Sequence, residues 1–244
     1  VSPIFGLRAH RRPMPIVEGL LRELTERMHA LDGCPSWEES LQREWGIYFD
    51  AEAFKRAADL LVRESGVQVL LHTLAAGAVL RDGQLQAVIV ENKSGRQAVT
   101  ARYFIDATGD ADVAYHAGAQ TTMDPDLQAL TCWFRLANVK PAASWRELEL
   151  AAQAAMRDAH SRGLLAVFGG PWIIRLNSSE ITVNATRVFA NPVQPLELSR
   201  AEMEAREQIV VMVEILRQSI PALRDCYLAG ISSQLHVRES RKVL

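Results

Sequence analysis

The chain has 244 residues, 48% of them hydrophobic and 23% charged, with a formal net charge of −2. That length suffices for one large or two small domains with a sizeable core, and the near-neutral charge gives no electrostatic case for nucleic acid or an anionic membrane as a partner. No apolar run approaches the roughly 18 residues that a membrane span requires. Three cysteines, Cys34, Cys132 and Cys226, lack CxxC spacing and read as reduced thiols of a cytoplasmic protein rather than a disulfide framework or zinc site.

The first dozen residues carry a small basic cluster, Arg8, His10, Arg11 and Arg12, read as a solvated lead-in. The spacing of Val17, Leu20, Leu21, Leu24, Met28 and Leu31 predicts a helix from about Pro15 to Ala30 with one buried stripe, stopped by Gly33. A connector with a short helix follows, Trp37 to Glu44, and Trp37 and Trp45 are read as packing residues. Asp50 is placed to cap a second helix that runs to Ser65, with Gly66 in the position that ends it. Val67 to Leu71, apolar but for Gln68, is expected as a central parallel strand. Ala78–Arg81, Leu85–Glu91 and Val99–Asp106 read as three more strands, with Asp82-Gly83 and Ser94-Gly95 as their turns.

Beyond Gly118 the character of the chain changes, and a boundary is expected near residues 120–126. Ala129 to Leu136 reads as a strand. Ser144 and Glu147 form a capping box for a helix ending near Arg162, and Ser199 and Glu202 form a second one. Trp172 to Leu176 and Glu180 to Ala185 are expected to pair around Asn177-Ser178-Ser179. The helix that reaches Gln218 is apolar nearly all round at Ile209 to Val213, so it is buried or sits at an interface. Tyr227 to Leu235 reads as a final strand.

One stretch carries chemistry. Tyr103-Phe104-Ile105 begins as an apolar strand and runs into Asp106-Ala107-Thr108-Gly109, with Asp110 where a helix N-cap belongs. A strand that passes through a glycine turn into a helix presents unpaired backbone N–H groups to an anion. Taken by itself, Asp110 could equally do no more than cap its helix.

Ile105-Asp106-Ala107-Thr108-Gly109-Asp110-Ala111-Asp112 resembles the corresponding segment of FAD-dependent oxidoreductases with the glutathione-reductase type of flavin domain. Two further stretches are similar to the same family: Phe49 to Lys55 ahead of Gly66 to Thr73, and Val237-Arg238-Glu239-Ser240-Arg241. Ala111 departs from it, since the family usually has Gly there, and His236 stands where Gly is common.

The resemblance implies an α/β fold, a three-layer FAD/NAD(P)-binding-type domain with an inserted α+β substrate domain. The expected division is residues 1–120 and 236–244 for a partial FAD-binding domain and 121–235 for the substrate domain. The family's glycine-rich dinucleotide fingerprint and its closing segment have no counterpart in the sequence, so the resemblance implies an internal fragment. It implies FAD as cofactor, with Ala75, Thr108, Gly109, Asp110, Arg238, Glu239, Ser240 and Arg241 as its contacts. Arg175, Asn184, Arg187 and His236 are candidates for the substrate face, against cross-strand pairing as their plain structural role. No catalytic acid or base and no metal ligand is named.

The function implied is transfer of a hydride or electrons between a small organic substrate and flavin. The alternatives left open are a non-catalytic fragment or interaction module that retains no flavin, and, less favoured, a nicotinamide-only dehydrogenase. Self-association is left open with them.

Overall fold

The computed structural model describes residues 3–4, 15–42, 46–141, 144–175 and 178–244. The basic cluster before residue 13, Trp45 and the Leu176–Asn177 part of the expected turn lie outside the described residues.

Near the start, β1 (Pro3–Ile4) and β2 (Ile47–Tyr48) pair antiparallel. Helices α1 (Leu20–His29), α2 (Trp37–Gln42) and α3 (Ala51–Glu64) gather here. Trp37, Leu41 and Ile47 form a small core. Only Met28 of the stripe expected in α1 is fully buried; Leu20 is exposed, and the helix begins at Leu20 rather than near Pro15. The Asp50 cap forms as its side chain requires: Oδ1 accepts from the backbone N–H groups of Glu52 and Ala53, each at 2.9 Å. Gly66, at φ 67°, closes the other end.

Strands β3 (Leu74–Arg81), β4 (Gln84–Asn92) and β5 (Gly95–Thr100) make an antiparallel meander. Asp82 and Gly83, both at positive φ, supply the tight turn that a two-residue hairpin needs. One expected strand does not form, and the strand expected over Val99–Asp106 stops at Thr100, the end of β5. Val67 to Leu71 is irregular and exposed, and Tyr103 and Ile105 are 88% and 91% exposed. A strand apolar on both faces is stable only between neighbouring strands and under covering layers. No described strand pairs with either segment, and every strand pair among the described residues is antiparallel.

The chain then forms α4 (Asp112–His116), β6 (Thr121–Thr122) and β7 (Trp133–Ala137). Next come α5 (Trp145–Ser161), β8 (Trp172–Arg175) and β9 (Ile181–Asn184). It ends with α6 (Pro195–Ser219), β10 (Tyr227–Ile231) and β11 (Lys242–Val243). Strands β10, β7, β9 and β8, in that order, form one antiparallel sheet. Its register puts Phe134, Leu136, Ile181 and Val183 on one face, where they join the principal core. Helix α5 turns Leu148, Ala152, Met156 and Ala159 to that core, and α6 turns Ala201, Ala205, Ile209, Met212 and Leu216. These spacings are the helical period read off directly. The opposite sheet face carries Trp172, Trp133, Arg135, Thr182 and Asn184.

The Ser144 cap forms, accepting from Glu147 N at 3.3 Å. The second expected capping box does not: α6 starts five residues earlier, with Gln194 at the N-cap and Pro at its first position, and Ser199 Oγ donates back to Pro195 O at 2.7 Å. The apolar run in α6 is half buried; Ile209, Met212 and Val213 enter the core while Val210 and Val211 stay exposed. The last long strand ends at Ile231 rather than Leu235. No helix among the described residues is long and apolar enough to cross a membrane.

Candidate functional site

The turn after residue 105 is built by one carboxylate. Asp106 Oδ1 accepts from Thr108 N at 3.0 Å and from the Thr108 hydroxyl at 2.7 Å, and Oδ2 accepts from Ala114 N at 3.0 Å. The Thr108 hydroxyl in turn accepts from Asp112 N at 2.9 Å. Slight desolvation works against the Asp106 carboxylate, but the hydrogen bonds from Ala114, Thr108 and Val113 outweigh it and hold its carboxyl below the usual range. Asp110 is not the N-cap. Ala111 occupies that position, in the left-handed region at φ 54°, and gives no side-chain bond. The cap role falls to Asp106 and Thr108, reaching in from outside the helix.

This leaves Asp110 free to do something else. Its carboxylate accepts from the Ser240 hydroxyl. Arg241 donates from Nε to Asp110 O at 3.0 Å, forms an ion pair with Asp112 and stands 4.5 Å from the centre of the Tyr115 ring. The pairing of β6 with β11 and the bond from Leu244 N to Gln120 O, 3.0 Å, continue the same contact. The turn and the final residues are therefore clasped together, although 130 positions separate Asp110 from Ser240.

An open cleft of about 710 Å³ begins at Thr108, Gly109 and Asp110. Its other walls come from β7 and Thr182, from Leu198 and Glu202 of α6, and from residues 230–237, His236 included. The backbone N–H groups of Gly109, Asp110 and Ala111 have no acceptor among the described residues. Gly109 has φ 88°, and a Cβ there would meet nothing within 4 Å, so its face is open to a ligand.

Of the expected cofactor contacts, the structure brings Thr108, Gly109, Asp110, Ser240 and Arg241 together. Thr108 has spent its hydroxyl inside the turn. Glu239 is engaged by Gln128 N at 3.1 Å and faces Lys242 Nζ at 3.6 Å. Arg238 is exposed, and its charge acts on His236 and Arg187. Ala75 lies in β3, paired with Val90 in an antiparallel sheet rather than ending a parallel strand; β3 packs against α4.

Of the substrate-face candidates, His236 lines the cleft and exchanges backbone bonds with Thr131. Desolvation, then the Arg238 charge, holds its imidazole below the ordinary range. Asn184 and Arg187 meet, Nη1 to Oδ1 at 3.5 Å. Arg175 stands apart from them over Trp145, 5.0 Å from its ring centre.

Several structural participants carry weak signals in the sequence. Asp106 is one; an Asp three residues before a turn glycine was the available clue. Gly169 and Trp172 from one segment and Gln208 from α6 surround Arg187, and no local pattern joins them. The cysteines are unpaired, with Cys132 and Cys226 buried; burial pushes the Cys34 thiol up to about 11 and the other two above their usual range. Among the described residues no group of acidic, histidine and cysteine side chains could hold a metal ion.

A family model described as FAD dependent oxidoreductase matches residues 1–244. No curated protein sequence matches the chain. Among solved structures, a triple mutant of the flavin-dependent brominase Bmp2 aligns at 10% identity and TM-score 0.49, covering 81% of this chain and 47% of its own. A geranylgeranyl bacteriochlorophyll reductase-like protein from Thermoplasma acidophilum aligns at 14% identity and TM-score 0.49, over 80% of this chain and 43% of its own. The myxobacterial chondrochloren halogenase CndH aligns at 15% and 0.47, over 79% and 42%. The chain thus spans less than half the length of these structures, and the assignment rests on the family match.

The residues present fit a dinucleotide flavin. Three unpaired N–H groups in succession form a concave donor set for an anionic or polar group, the open glycine admits close approach, and Asp110 is an acceptor for a hydroxyl.

Proposed function

Because the chain belongs to the FAD-dependent oxidoreductase family, we propose that it forms the flavin-flanking and substrate-facing part of an enzyme that moves a hydride or electrons between a small organic substrate and FAD. The clasp of the 106–112 turn by Ser240 and Arg241 at the mouth of the cleft is the observation that carries this reading. The flavin supplies the redox chemistry when bound. The protein's own work is to bind and orient. Gly109, Asp110 and Ala111 offer N–H donors, and Asp110 accepts a hydroxyl. Arg238 supplies positive charge beside His236, where it favours negative charge that develops nearby, while Arg241, paired with Asp112, holds the turn. His236 lines the cleft as a neutral imidazole near pH 7, since its affinity for a proton is lowered.

The same reading divides the chain into flavin-binding residues 1–120 and 236–244 and a substrate domain at 121–235. The buried members of the principal core lie between residues 130 and 235, with Val237 packed against them, and this supports that division. Unpaired cysteines support a reducing, cytoplasmic setting.

The test is the visible spectrum of the purified chain with and without added FAD. Flavin bands that travel with the protein through gel filtration, and that weaken in Gly109→Val, are the expected result. A well-folded chain that never retains FAD would favour an interaction module instead, with the exposed apolar runs at 67–71 and 103–105 as its contact surface.

A further inference from the structure

We propose that Arg187 is the anchor for a carboxylate on the substrate, gripping it through the Nε and Nη2 edge of the guanidinium. The proposal deepens the flavoenzyme reading and rests on it for the word substrate; the anion site itself does not.

Arg187 is held from four directions. Its backbone N donates to Gln208 Oε1 at 3.1 Å, and its backbone O accepts from Gln208 Nε2 at 2.9 Å, a two-point clamp from α6. Nη1 donates to Thr186 O at 2.6 Å and faces Asn184 Oδ1 at 3.5 Å. The guanidinium carbon is 5.1 Å from the centre of the Trp172 ring. A Cβ on Gly169 would stand 2.2 Å from Cζ and from Nη2, so only glycine leaves room for the group. A side chain with four rotatable bonds is thereby fixed in one pose, which removes most of the entropy cost of using it.

What this pose leaves unused decides the matter. A guanidinium has five N–H donors in a fixed fork. The two on Nη1 are spent on Thr186 and Asn184. Nε and Nη2 have no acceptor among the described residues, and no carboxylate pairs with the group. Elsewhere the chain pairs its arginines freely: Arg27 with Glu23 and Glu64, Arg146 with Glu149, Arg241 with Asp112. Arg187 is half-buried, and what surrounds it adds positive charge rather than negative. Desolvation first, and Arg238 second, make its protonated state harder to hold. A partly desolvated cation beside another cation needs an anion, and the free edge has the geometry that takes a carboxylate in two parallel bonds.

The surroundings say more about the molecule. Trp172 is 48% exposed and offers a flat apolar surface beside the guanidinium. The Asn184 amide nitrogen has no acceptor among the described residues. Thr131, one strand over and bonded through its backbone to His236, is fully buried with its hydroxyl unpartnered. A carboxylate on a flat, unsaturated body suits this set.

The experiment is a titration of benzoate into the ¹⁵N-labelled chain, following the Nε–Hε resonance of Arg187. That resonance is identified by its loss in Arg187→Lys, and benzamide and chloride at equal concentration are the controls. A saturable shift with benzoate and none with benzamide or chloride is expected. The Arg187→Lys and Gly169→Ala chains, followed by the benzoate signals themselves, should bind about 10- to 100-fold more weakly, the cost of losing a charge-assisted fork. No shift in a chain with native near-UV dichroism overturns the proposal. So does an equal shift with chloride, or unchanged binding in both variants. Because no flavin enters the titration, a chain that retains FAD but ignores benzoate sinks only this inference. A colourless chain that binds benzoate through Arg187 sinks the flavin reading and leaves the anion site.

Discussion

Replacing Arg241 by alanine tests whether the clasp between the chain's final residues and the 106–112 turn is what holds the turn in shape. The truncation removes the ion pair to Asp112, the bond from Nε to Asp110 O at 3.0 Å, and the ring contact to Tyr115 at 4.5 Å. The side chains of Arg241 and Asp112 are only 18% and 28% exposed, so solvent screens the pair less than it would on the open surface. The charged hydrogen bond contributes about 1.5–3 kcal/mol and the cation–ring contact about 0.5–1 kcal/mol. These do not add fully, because one side chain makes all of them. A loss of about 2–3 kcal/mol is expected.

That loss is local. Neither the turn nor the last residues belong to the principal core, and α4 has five residues, too few to stand alone. Native-state hydrogen exchange is the assay. The amides of Tyr115, Ala117 and Ala119, all bonded to residues 111–114, should exchange about 30- to 150-fold faster, the factor that corresponds to about 2–3 kcal/mol. Amides of β7 and β9 should be unchanged. Arg241→Lys should fall between, since it keeps a charge and loses the fork. Unchanged exchange in residues 112–119 of the alanine variant would show that Asp106 alone suffices, and the clasp would lose its role.

Thr186→Val removes a hydroxyl that accepts from Cys132 N at 2.7 Å and donates to Cys132 O at 3.1 Å, all fully buried; a loss of about 2–4 kcal/mol should appear as a lower urea midpoint at constant slope. Ser144→Ala should cost about 1 kcal/mol by loss of its cap, whereas Ser199→Ala, one turn inside α6, should be within about 0.5 kcal/mol of neutral by the same unfolding measurement. The Asp106 carboxyl is held below its unfolded value, so its contribution is complete above about pH 4 and is lost as pH falls through the folded value. Exchange of the Ala114 amide should therefore rise on acidification beyond the intrinsic trend in the native chain, and should not do so in Asp106→Asn.

Local signals were legible wherever the local code also governs packing. Asp50 and Ser144 cap their helices, and Asp82-Gly83 turns its hairpin. The strands at 172–175 and 181–184 pair, as alternation on one half-buried sheet requires. The errors lie where tertiary partners decide. Val67 to Leu71 reads as a buried strand because all but Gln68 is apolar, and it is exposed because no described strand pairs with it. Ser199 and Glu202 have cap spacing, but Pro195 starts the helix earlier. Asp110 occupies a cap position in the sequence, and Asp106 takes the role because its carboxylate reaches two parts of the turn at once. The clasp was visible only as a resemblance; no spacing rule links positions 110 and 240.

One short segment ties the two halves of the site together. His236 exchanges two backbone bonds with Thr131, two residues before β7, which fixes it beside the sheet that bears Asn184 and is followed by Arg187. Ser240 and Arg241 fix the other end to the 106–112 turn. From His236 to Arg241 the chain can reach at most about 17 Å. The N–H donors at Gly109–Ala111 and the cations facing the sheet are thus held at a bounded separation by the backbone itself, whatever occupies the space between. Arg238 sits in the middle of this tether, and its charge already acts on both His236 and Arg187. A ligand that neutralises Arg187 should accordingly raise the proton affinity of Arg187 and, if it also screens Arg238, that of His236. Following the His236 ring resonances against pH with and without benzoate measures this. An upward shift of the midpoint on binding marks the two groups as one electrostatic unit. A midpoint that ignores saturating benzoate would mean that the anion screens Arg187 alone and that the tether carries geometry without charge.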